Sequence, residues 1–126
     1  MNYKALLGTA IVSGVLGYLM NTYLFTPTLS ADAVAAAAAA AMVPAYAFWA
    51  VTSVIDAFVI SWVTGMTGNG IKSGLVIAVS QIVLVDVFYV LNGQRALATA
   101  AASVVVLLVV GVASGYTFGK LSASKS

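Results

Sequence analysis

Cysteine, histidine and glutamate are absent from these 126 residues, and charged residues of every kind make up only 6% of the chain. Without cysteine there is no disulfide, thiolate nucleophile or zinc-thiolate site. Without histidine there is no Ser-His-Asp triad and no axial haem histidine. Soluble domains carry roughly 25% charged residues because water must wet their surface. Three Asp against five Lys plus Arg cannot coat a water-facing sphere. A soluble enzyme is therefore excluded, and no catalytic residues, metal site, cofactor or nucleic-acid partner is expected.

What the chain holds in abundance is apolar surface: 63% of its residues are hydrophobic and its mean hydropathy is +1.11. A helix crossing a hydrocarbon core of about 30 Å needs about 20 mainly apolar residues. Four runs meet that requirement and predict one all-α domain, an integral membrane four-helix bundle. The first, residues 5–25, ends before Pro27, whose ring and missing N–H stop a helix. Asp32 is placed to cap the next helix. The second run, residues 33–64, is too long, since it makes about 48 Å of helix. Either its alanine start, Ala35 to Ala41, lies outside the hydrocarbon, or Pro44 kinks a tilted helix, or both. A polar hinge at residues 65–70 leads into a third run, residues 74–91, as a helical hairpin. Asn92, Gly93, Gln94 and Arg95 then punctuate the chain before the fourth run, residues 96–118, and residues 119–126 form a polar tail.

Lys and Arg in short loops are retained on the cytoplasmic side of a membrane. Lys4, Lys72, Lys120 and Lys125 fall on one side of this bundle and Arg95 alone on the other. Both termini are thus expected in the cytoplasm of a multi-pass protein of the cell membrane. The first run exceeds the 7 to 15 residues typical of a signal-peptide core and reads as a retained helix.

Lipid tails do not drive helices together, so small residues and interhelical hydrogen bonds must do so. Gly111, Gly115 and Gly119 repeat at every fourth position of the fourth run, and Ser13 and Gly17 do so in the first. Both faces are expected to be helix-packing surfaces, either inside one bundle or between chains. The alanine run is a third smooth surface that gains little from burial unless something larger packs on it.

Asp56 lies near the middle of the second run and Asp86 slightly outward of the middle of the third. A charged carboxylate there costs at least about 2.5–3.5 kcal/mol, so it is protonated, paired or turned to an aqueous cavity or the bundle interior. An aligned hairpin brings the two within reach through side chains or one water. Thr52 and Ser53 share a face with Asp56, Tyr89 shares one with Asp86, and Gln81 belongs to a separate polar stripe. These six residues form a candidate ion or proton site, or a buried polar network that fixes helix register. Arg95 is expected to snorkel to a headgroup.

Two functions follow. The first is a small non-catalytic integral membrane subunit, packed through its glycine and alanine faces against other membrane subunits, copies of itself and lipid. The alternative is a small oligomeric proton- or cation-conducting channel or transporter using Asp56 and Asp86.

Overall fold

The alanine run does not lengthen a membrane span. In the computed structural model, which describes residues 2–123, it forms a separate helix, α2 (Ala31–Ala40), divided from the next by the non-helical residues 41–44. Pro44 disfavours helical backbone at the residue before it, and Ala41 and Pro44 both adopt extended ψ angles of 131° and 157°. The cap of α2 is Ser30, whose hydroxyl accepts from Ala33 N at 3.1 Å, and Asp32 sits inside the first turn instead.

Four helical stretches are long and apolar enough to cross a membrane: Tyr3–Thr28, Ala45–Thr67, Gly70–Leu91 and Leu97–Ala123. The first comprises α1 (Tyr3–Met20), a π-helical turn (Asn21–Phe25) and a 3₁₀ turn (Thr26–Thr28). The second is α3 (Ala45–Thr67). The third comprises α4 (Gly70–Gln81), a π-helical turn (Ile82–Val87) and α5 (Phe88–Leu91), and the fourth is α6 (Leu97–Ala123). Among the described residues the fold is all helical, and large apolar side chains such as Leu7, Ile11, Ile55, Trp62, Leu84 and Leu97 face outward, as lipid contact requires.

The hinge after α3 is tighter than its composition implies. Gly68 takes a left-handed φ of 71°, donates to Thr64 O at 2.9 Å and ends α3, and Asn69 then caps α4 by accepting from Lys72 N at 2.9 Å. Residues 65–67 are therefore helical, and the third span starts at Gly70 rather than at 74. Buried Ser73 bonds Thr64 Oγ1 at 3.0 Å and Thr67 Oγ1 at 2.6 Å, locking the hairpin.

α6 lies against both α1 and α4. Toward α4 it presents Gly111, Gly115 and Gly119. A methyl on Gly111 would stand 2.7 Å from Gly74 O, and one on Gly70 would stand 2.9 Å from Gly119 N, so the backbones meet with no side chain between them. This close approach carries α6 past the expected end: residues 119–123 are helical, with Lys120 in the last turn where it complements the helix dipole. The rest of the expected tail, residues 124–126, lies outside the described residues. The apolar core of Ala5, Leu6, Ala57, Ile60 and Phe118 fills the bundle toward the hairpin end.

Candidate functional site

Two kinds of small-residue packing set the helices apart as well as together. α1 buries Ala5, Thr9, Ser13 and Gly17, one small residue per turn. Against this stripe lies α3: a methyl on Gly17 would stand 3.2 Å from the Trp49 ring, and one on Gly14 3.1 Å from Ser53 Cβ. α4 is meanwhile drawn onto α6 by the glycine seam. α3 and α4 are joined at the hairpin, but beyond it Ile82–Val87 packs on α6 rather than on α3. The two spans therefore diverge away from the hairpin and leave a cavity of about 540 Å³ between all four spans.

Most of that cavity's wall is apolar, with a few polar groups converging on it, which is the usual make-up of a ligand site. Asn21, Thr52, Asp56, Gln81, Arg95 and Ser103 are the ones that matter here. Ser13 Oγ donates to Asp56 Oδ2 at 2.6 Å, so the carboxylate is anchored to α1 while still lining the cavity. Thr52 and Ser53 spend their hydroxyls on their own helix, bonding Phe48 O at 2.8 Å and Ala50 O at 2.9 Å. The aromatic end of the cavity is formed by Trp49 with Phe48 edge-on to it, ring centroids 5.1 Å apart.

Asp86 is placed differently. Gly70, Gly74, Ala78 and Asp86 are buried at spacings of four or eight residues, facing α6. An α-helix drifts off such a repeat, but the i→i+5 bonding of the π-helical turn winds more residues into the turn and brings Asp86 back onto the buried face. There it pairs with Arg95 Nη1 and is only 2% exposed. The arginine reaches inward rather than to the surface because the chain doubles back after α5. Gly93 takes φ 81°, and the N–H groups of Gln94 and Arg95 both donate to Tyr89 O, at 2.8 and 3.0 Å. Its guanidinium then lies 5.1 Å from the Tyr89 ring centroid and 5.5 Å from that of Phe25.

The six candidates are thus divided. Thr52, Ser53, Asp56 and Gln81 line one cavity, whereas Asp86 and Tyr89 belong to the Arg95 cluster, and the two carboxylates have separate partners. Gly111, Gly115 and Gly119 are covered by α4, Gly17 by Trp49, and Ser13 is committed to Asp56. Sequence reasoning passed over Asn21, Trp49 and Phe25 as cavity groups. Only Asn21, a lone amide in an apolar run, carried a signal.

No known protein family, characterised protein or solved structure matches this chain.

Proposed function

We propose that this protein is a small multi-pass membrane protein that binds a small cation, a proton included, in the cavity between its spans and passes it across the cell membrane, with Asp56 as the charge-bearing ligand. One observation carries the reading. Of the two carboxylates in the spans, Asp86 is neutralised by Arg95, while Asp56 lines a cavity of about 540 Å³ with a serine hydroxyl as its protein partner. A hydrogen bond to a charged group returns about 1.5–3 kcal/mol. That offsets part of the insertion cost of the carboxylate and leaves the acidic group free to exchange an ion. Asp86 keeps a part in this reading only as the partner of Arg95.

The basic residues orient the bundle with both termini and the hairpin in the cytoplasm, and with α2 and Arg95 outside. The test is cation flux in liposomes reconstituted with the purified chain. Wild-type protein is expected to carry protons or a monovalent cation, and Asp56→Asn to lose at least tenfold of that flux while keeping its helicity. Equal flux in the two proteins, or none in folded wild type, overturns the proposal.

A second reading, a non-catalytic subunit of a membrane assembly, draws support from α2, all ten of whose residues are exposed. Since the glycine faces are filled within the chain, such an assembly would use α2 and the outward apolar faces. Native mass of the gently solubilised complex separates the two: a larger chain co-purifying in fixed ratio favours the subunit.

A further inference from the structure

A second cavity of about 490 Å³ lies at the Arg95 end of the bundle, lined by Thr28, Leu29 and Ser30 where the first span ends and by Gln94, Ala96 and Thr99 around the start of α6. It shares two residues with the Asp56 cavity, Phe25 and Arg95. Those two side chains are therefore the partition between the spaces. The guanidinium is stacked near the Phe25 and Tyr89 rings and held from behind by Asp86.

We propose that Arg95, latched to Asp86, is a gate that closes the Asp56 cavity off from this outer vestibule. The guanidinium side chain stands between the two spaces, so moving it aside opens the way sterically. The latch is a single hydrogen bond. Asp86 Oδ2 has no hydrogen-bond partner among the described residues, so the pair lacks the two parallel bonds of a bidentate fork, the stronger form of an arginine–carboxylate pair. The arginine rides on a reversal whose Gly93 has open space around it. Both walls of the gate are π-helical turns, Asn21–Phe25 and Ile82–Val87, a form that recurs at functional sites in helices. The gate matters to transport only if the Asp56 cavity is a cation site, but its existence is read from access alone.

The absence of cysteine makes that measurement clean. Ser103→Cys places a thiol in the inner cavity and Ser30→Cys one in the vestibule. A charged, membrane-impermeant thiol reagent is applied to each face of sealed vesicles in turn. With Arg95 present, Ser30→Cys is expected to label quickly from one face and Ser103→Cys slowly. Adding Arg95→Gln is expected to raise the Ser103→Cys rate from that face at least tenfold and leave Ser30→Cys unchanged. Because Arg95→Gln alone strands a buried carboxylate and can impair folding, the same measurement is made in Asp86→Asn/Arg95→Gln, which removes both charges. Rates for Ser103→Cys that are alike in all folded backgrounds, fast or slow, overturn the gate, and so does failure of Ser30→Cys to label from either face. Neither readout involves flux, so a gate that fails this test and a cavity that carries no cation are distinguishable results.

Discussion

Ser13 and Asp56 stand 43 residues apart in sequence and 2.6 Å apart in the bundle, the hydroxyl of the first span donating to the carboxylate of the second. Interhelical hydrogen bonds between spans average about 0.6 kcal/mol and reach about 1.7. A double-mutant cycle of Ser13→Ala and Asp56→Ala, read by unfolding in detergent, is expected to give a coupling toward the upper end of that range. Additive effects would mean that the bond does not hold the two spans together.

The glycines divide by what surrounds them, and alanine substitution reads the division. At Gly74 a methyl would run into the carbonyl of Gly111, so Gly74→Ala is expected to cost about 3 kcal/mol, the upper part of the range for overpacked sites. Gly68 has free space but a φ of 71°, so Gly68→Ala is expected to cost about 1–2 kcal/mol through the backbone alone. Gly65 is helical, exposed and clear of neighbours, and Gly65→Ala is expected to add up to about 1 kcal/mol. Thermal unfolding of the three variants in one detergent checks the order.

Much of the bundle was legible because single residues mark it. Gly93 announced its turn, whereas Pro27 did not end the first span, which continues through it as a 3₁₀ turn to Thr28; the four-residue spacing of Gly111, Gly115 and Gly119 announced a close helix contact, though not that the chain's own Gly70 and Gly74 would fill it. The break at residues 41–44 was legible in two signs, a conflict between helix length and bilayer thickness and Pro44 itself, although six of the seven alanines continue one helix without a mark. The π-helical turn at Ile82–Val87 left no trace: its residues are ordinary helix and strand formers, and the packing of the third span on α6 selects the underwound form. That turn is why Asp86 meets Arg95, nine residues on, rather than Asp56.

The Asp86–Arg95 pair is expected to be strongly non-additive. Their side chains are 3% and 18% exposed, so removing either partner leaves the other charge stranded in a medium that solvates it poorly. Asp86→Asn or Arg95→Gln alone is expected to destabilise by about 3–5 kcal/mol. The double variant, with no charge left to strand, is expected to be closer to wild type than either single one. Unfolding midpoints of the four proteins decide it, and a double variant as unstable as the two single losses added together would show that the two side chains act independently.

α2 offers the sharpest separation between a self-sufficient bundle and a chain that needs company. No residue of Ala31–Ala40 is buried, so nothing among the described residues loses packing when a charge is placed there. Surface substitutions of that kind change stability by no more than about 0.5 kcal/mol, and lysine is among the better helix formers. Ala37→Lys is therefore expected to leave the unfolding midpoint where it was. If α2 instead seats against another helix within an assembly, the same lysine puts a hydrated ammonium into an apolar contact. The native mass then falls to that of the single chain while the unfolding of the bundle itself is unchanged. Measuring mass and unfolding on one preparation thus assigns α2 either to solvent and lipid or to a partner.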